Sequence, residues 1–203
     1  MRAERALVLA LVVMGTGLVL SGIEPYERGT WVLEVFPVVV AMPLLWFARR
    51  RFLLTPLTVV LVALFALVLE AGGHYTYARV PLGSWLRDAL DLTRNNFDRI
   101  GHFLQGFVPA MVTRELLLRC TPLRPGRWLF VLVTAVCLAI SACYEFIEWW
   151  SALLLGAGAT EFLAMQGDPW DTQWDMFLAC CGALTAQLLL ARAQDRALAR
   201  LPG

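Results

Sequence analysis

Lysine is absent from this sequence: all 17 basic residues are arginine, and the formal net charge is only +1. That balance argues against nucleic acid as a partner, which calls for an extended basic footprint. The uniform arginine usage reads as coding bias rather than a phosphate-binding signature. Histidine is scarce too, with His74 and His102 alone. Charged residues reach just 16%, against about 25% in a soluble globular domain. No C-x-x-C pair occurs among Cys120, Cys137, Cys143, Cys180 and Cys181; these lie in or beside apolar segments and read as small buried side chains rather than metal ligands or a redox couple. There is no internal repeat and no low-complexity stretch.

What fills the chain instead is apolar sequence, 59% of residues with a mean hydropathy of +0.65. A membrane span takes about 20 apolar residues, and six such segments fit, at about 6–22, 31–48, 52–70, 98–118, 128–150 and 173–191. The short connections leave no room for a separate soluble domain, so the expectation is a single integral membrane domain over 1–203, an all-α polytopic helix bundle. The first segment follows Arg2 and Arg5 and by itself resembles a secretory signal; we read it as a retained span, because the remaining topology then becomes consistent. Pro37 and Pro43 are kink points in the second span. Residues 71–97 make the longest connection, opening on Gly72, Gly73 and His74. Within it Leu82, Trp85, Leu86, Ala89 and Leu92 recur at helical spacing, which predicts a short interfacial helix lying on membrane lipids.

Arginine placement orients the bundle. Arg2 and Arg5, Arg49 to Arg51, Arg119, Arg124 and Arg127, then Arg192, Arg196 and Arg200 all fall on one side. The first and last opposite loops hold Glu24, Glu27, Glu161, Asp168 and Asp171 with only Arg28. By the positive-inside rule both termini are expected in the cytoplasm. Arg79, Arg87 and Arg94 in the 71–97 connection run against this bias, whereas Trp31, Trp149, Trp150, Trp170 and Trp174 fall where an outer aromatic belt belongs.

With that topology the intramembrane acids collect at one depth. Glu70 ends the third span, Asp98 and His102 begin the fourth, Glu145 and Glu148 end the fifth, and Asp171 and Asp175 begin the sixth. Within helices the spacing is regular: Asp98, His102 and Gln105, and likewise Ser141, Glu145 and Glu148, stand at i, i+4 and i+7, and Asp168, Asp171 and Asp175 at i, i+3 and i+7. Each set is a polar stripe on one helix face. Ionisable side chains in a span mark function by default, and this set suits three tasks. His102 or His74 with Asp98, Glu145, Glu148, Asp171 or Asp175 would ligate a divalent cation, whose identity the mixed donor set leaves open. Glu145 and Glu148, one turn apart, would work as an acid/base pair. The same groups would line an ion or proton path, although the inner halves of these spans show little polarity to continue one.

Structural roles compete with these. Asp168 before Pro169 is the N-cap arrangement of an ordinary helix start, and Asp171 favours the helix dipole. Glu148 and Asp171 lie near headgroup water, where charge costs little, and His74 reads as a surface or packed histidine. Arg99 and Arg114 read as ion-pair partners of Asp98 and Glu115. Alternatively, the acids pair with Arg94 and Arg99 and only hold the bundle together.

Three runs carry a family resemblance: Asp98 to Ala110, Tyr144 to Trp150, and Gln166 to Met176. They resemble the YjdF-like family of bacterial inner-membrane proteins, which implies a six-span membrane protein without an established activity. A fainter pattern is similar to VanZ-like membrane proteins, whose D-K-x-x-H-F is echoed by Asp98, Arg99, His102 and Phe103. Their E-x-x-Q resembles Glu145 to Glu148 with Glu in place of Gln, and their D-x-x-x-N-x-x-G-A is matched at Asp175, Gly182 and Ala183, with Ala179 where Asn stands. The resemblance singles out the acids and histidine already picked by spacing.

The expectation is therefore a polar site on Asp98, His102, Glu145, Glu148, Asp171 and Asp175. It belongs to a cell-envelope enzyme, metal-dependent through one divalent cation or acid/base, acting on a lipid or amphiphile. The alternative is a non-enzymatic binding or transport protein for a cation, proton or envelope compound.

Overall fold

In the computed structural model, residues 2–155 and 166–201 are described, so Glu161 lies outside the described residues. Every regular element among them is helical: α1 (Arg2–Ser21), α2 (Arg28–Ala48), α3 (Pro56–Tyr75), a 3-10 turn (Tyr77–Arg79), α4 (Pro81–Ala89), α5 (Phe97–Cys120), α6 (Arg127–Leu155) and α7 (Asp171–Leu198). Helix starts follow local chemistry. Glu27 caps α2, its carboxylate accepting from the Gly29 N–H at 2.9 Å and from the Thr30 N–H. Thr55 caps α3, with Pro56 in the first turn.

The third span runs further than its hydropathy suggested. Gly72, Gly73 and His74, expected in a loop, are the last turn of α3. The glycines are buried there, Gly72 against the Tyr77 ring and Gly73 against Trp31 and Glu34, so close packing outweighs their weak helix propensity. Glu70 consequently sits more than a turn inside α3 rather than at its end. Likewise α6 continues to Leu155 and α7 to Leu198, beyond the apolar runs. The short helix expected in the 71–97 connection is α4, which keeps Leu82 and Trp85 exposed.

The helices pack in two groups. Leu7 and Met14 of α1, Val38 of α2, and Val59, Ala63 and Ala66 of α3 share one buried cluster. Ala110 and Met111 of α5, Leu129, Val133 and Cys137 of α6, and Ala183 and Ala186 of α7 share another. Helix α3 lies against α5 and joins the groups. The closest pairing is α5 on α7, where Gly106 faces the Ala179 carbonyl and Gly182 faces the Phe103 carbonyl, with no room for a Cβ at either glycine.

Five described helices are long and apolar enough to cross a membrane: Ala3–Ser21, Arg28–Ala48, Pro56–Tyr75, Arg127–Leu154 and Asp171–Leu198. Helix α5, at 24 residues, extends about 36 Å at the usual rise, but it carries too many polar groups to meet the same standard. Its neighbours α3, α6 and α7 enclose it. Apolar side chains such as Phe36, Phe47, Leu154 and Leu188 point outward instead of inward, as a bilayer-facing surface requires.

Candidate functional site

The polar stripes converge where α5 begins, α6 approaches its end and α7 begins. Asn95 sets this junction. Its side chain accepts from the Phe97 N–H at 3.0 Å and donates to the Val80 carbonyl at 3.0 Å, while its backbone N–H and carbonyl meet the Gln166 side chain at 3.0 and 2.8 Å. One buried amide thus ties the start of α5 to the segment before α4 and to the turn before α7.

From that anchored start, Asp98 and His102 project on one face of α5 and are buried. His102 Nε2 lies 3.4 Å from Asp98 Oδ1 and 3.8 Å from Asp175 Oδ2 of α7. Its Nδ1 is 3.1 Å from the Gln105 side-chain oxygen. Gln105 on one ring nitrogen and two aspartates on the other fix the orientation of the imidazole between α5 and α7. Two sets of ligand atoms, Asp98 with His102 and Asp175, and His102 with Glu145 and Glu148, each lie within 4.8 Å of one another. The Asp175 Oδ1, Glu145 Oε1 and Ser141 Oγ atoms are buried with no hydrogen-bond partner in the protein.

Asp171, expected beside these ligands, is held by Arg94 at 2.7 Å. Arg94 also lies 3.8 Å from Asp98 and 3.4 Å from Asp168. Arg99 meets Asp168 at 2.7 Å rather than Asp98. The expected cap is displaced: Asp168 stands three residues ahead of α7 and accepts from the Trp170 N–H at 2.9 Å, while the capping position is occupied by Trp170. His74 is apart from the site, its Nδ1 2.9 Å from the Ser21 carbonyl. Glu70 is apart as well, buried against Gly17 of α1.

Residues missed in the sequence complete the site. Glu34 of α2 is buried and accepts from the Tyr144 hydroxyl at 3.2 Å. Tyr77 packs against Gly72 and Gly101. Burial, with Glu34 beside it, holds the Tyr77 hydroxyl well above the usual phenol range, so it stays neutral. The available signal for Glu34 was plain: it is the sole acid within the apolar α2. Together with Asp98, His102 and Glu148, these side chains line a cavity of about 170 Å³.

At the opposite end of the bundle, polarity exceeds what the sequence suggested. Glu115 accepts from the Thr55 N–H and from the Thr55 and Thr58 hydroxyls at 2.8 to 2.9 Å, and pairs with Arg119 at 2.9 Å. Gln194 donates to the Met111 carbonyl at 2.7 Å and to Thr58 at 3.1 Å. Arg114 pairs with Asp195 at 2.7 Å, not with Glu115. This network satisfies its own members and fastens α3 to α5 and α7.

Such a bundle, with outward apolar faces and a buried polar centre, is a multi-pass membrane protein. The chain belongs to the family described as Predicted membrane protein (DUF2238), which matches residues 6–196. It is 49% identical over 195 residues to the Inner membrane protein YjdF of Escherichia coli (strain K12), covering 96% of this chain and 91% of that protein. Neither match bears on the VanZ-like pattern. No solved structure matches.

Proposed function

We propose that this chain is an enzyme of the bacterial inner membrane. Its Asp98, His102, Glu145, Glu148 and Asp175 centre holds one divalent cation and acts on a lipid or amphiphile from the outer leaflet. The observation that carries this reading is the convergence of His102 Nε2 with Asp98 and Asp175 at 3.4 and 3.8 Å. Those separations approach the spacing of ligands that surround one ion at about 2.1 Å. Gln105 at Nδ1 would orient the imidazole if Nε2 held a metal. Carboxylates also outnumber the cations beside them, and two buried oxygens have no protein partner. Charge balance therefore calls for a cation or for protons. A bound cation would polarise an ester or phosphate oxygen and supply a bound water at lowered pKa, with Glu148 or Glu145 placed to move a proton.

We read both termini as cytoplasmic and α5 as a sixth crossing, on the arginine distribution and on the enclosure of α5 by its neighbours. The outer position of the site depends on that orientation.

Elemental analysis of protein purified in mild detergent without chelators tests the centre. The expected result is near-stoichiometric metal in the wild type and its loss in both His102→Ala and Glu145→Ala. A wild type that stays metal-free after reconstitution would overturn the metal centre and leave acid/base chemistry to the same carboxylates. A second reading, non-enzymatic binding or transport of a cation, proton or envelope compound, draws on the buried polar cluster around Glu115 and Gln194 at the far end of the same helices. It predicts counter-flow of the ion in proteoliposomes, which the enzyme reading does not.

A further inference from the structure

The cavity in front of the acids is polarised along its length. Glu34, Tyr144, Tyr77, Asp98, His102 and Glu148 line one part of it, and Pro37, Phe65, Pro109 and Ile140 line another. Helix direction orders these two parts. Chain direction reverses between α2 and α6, so Pro37 lies about a turn below Glu34 and Ile140 about a turn below Tyr144. The apolar part is therefore the deeper one, nearer the middle of the helices.

The wall is weakest between α2 and α6. Helix α2 packs on α1 and α3, and helix α6 packs on α5 and α7, with no extended contact between the two. The Tyr144 hydroxyl donating to Glu34 at 3.2 Å bridges them at the polar level. One turn deeper, Ile140 lines the cavity and is 40% exposed. With no helix packed across the gap between α2 and α6, Ile140 stands at an opening, and at that depth the surroundings are hydrocarbon.

We propose that the site takes a single hydrocarbon chain, which enters sideways between α2 and α6 beside Pro37 and Ile140. The group to which that chain is attached then rests at Asp98, His102 and Glu148. The proposal builds on the reading of the acid end as the reacting centre and narrows its substrate to a lipid whose reacting ester or phosphate adjoins the chain. The volume sets the same limit: about 170 Å³ is close to the roughly 150 Å³ of an apolar cavity that admits one benzene. It accommodates a chain segment and a small polar group. The acid wall opposes a bare anionic headgroup, a repulsion that a bound cation would offset.

The test is photolabelling of the full-length protein in vesicles containing phosphatidylglycerol with a diazirine on the acyl chain near the glycerol. Adducts are mapped by mass spectrometry, and metal is measured on the same sample. The expected adducts fall on Phe65, Pro109 and Ile140. Ile140→Trp, which fills the opening, should lower labelling of Phe65 and Pro109 several-fold and leave labelling of exposed Phe47 unchanged, whereas Ile140→Ala should retain it. Adducts confined to outward residues, or interior labelling indifferent to Ile140→Trp in a variant that Phe47 shows to be embedded, would overturn the proposal. Metal without interior adducts refutes the chain site and spares the cation centre; interior adducts without metal do the reverse.

Discussion

Arg94 is the residue on which charge balance at the mouth of the site depends. It meets Asp171 at 2.7 Å and Asp98 at 3.8 Å, with its side chain only 12% exposed. Removing one partner of a buried ion pair leaves the other uncompensated and costs about 3–5 kcal/mol. Arg94→Gln should accordingly lower the thermal unfolding temperature in detergent by several degrees or more. Because it adds net negative charge around the centre, it should leave bound metal in place. That split separates the arginine, which holds the aspartates, from the histidine and acids that would hold the cation. An Arg94→Gln variant as stable as wild type would show that the pairing contributes nothing to the fold.

Among the helices, two features decide geometry. The first is the α2 cap, where the Thr30 and Gly29 N–H groups hold the Glu27 carboxyl below its ordinary value of 4.5. A depressed folded-state pKa contributes stability above the unfolded value and loses it as pH falls through the folded one. Wild-type stability should therefore decline as the pH drops below 4.5. Glu27→Gln should lose that part of the decline when unfolding is followed over the same pH range, and an unchanged slope would count against the cap. The second is the α5 and α7 crossing. A Cβ at Gly182 would run into the Phe103 carbonyl and the Phe107 N–H, so Gly182→Ala must push the helices apart at a cost of about 1–3 kcal/mol. Since Asp98 and His102 ride on α5 and Asp175 on α7, the same change should also reduce metal content. Gly126→Ala, with open space around the new methyl, serves as the neutral control.

For the molecule as a whole, the prediction concerns sidedness. Cys120 ends α5 and is exposed, at the end of the bundle that the arginine pattern places in the cytoplasm. In a variant retaining Cys120 alone, a membrane-impermeant maleimide should label inverted vesicles and leave intact spheroplasts unlabelled. Labelling from outside would reverse the topology and move the acid site to the inner leaflet.

Sequence by itself determined the membrane class and the all-helical architecture, because hydropathy and length act on each segment separately and need no partner. It determined equally that Asp98, His102, Glu145 and Asp175 are the unusual residues, since an ionisable group in a span is conspicuous by its cost. Only tertiary structure decided how they are divided. Asp171 goes to Arg94, Arg99 goes to Asp168, and His102 turns its Nε2 to Asp98 and Asp175, choices that depend on the rotation and approach of three helices. Tertiary packing also brought in Glu34, whose partner Tyr144 lies 110 positions away, and continued α3 through Gly72 and Gly73. Local propensity is a weak preference of under about 1 kcal/mol per residue, and packing against Tyr77, Trp31 and Glu34 overrides it.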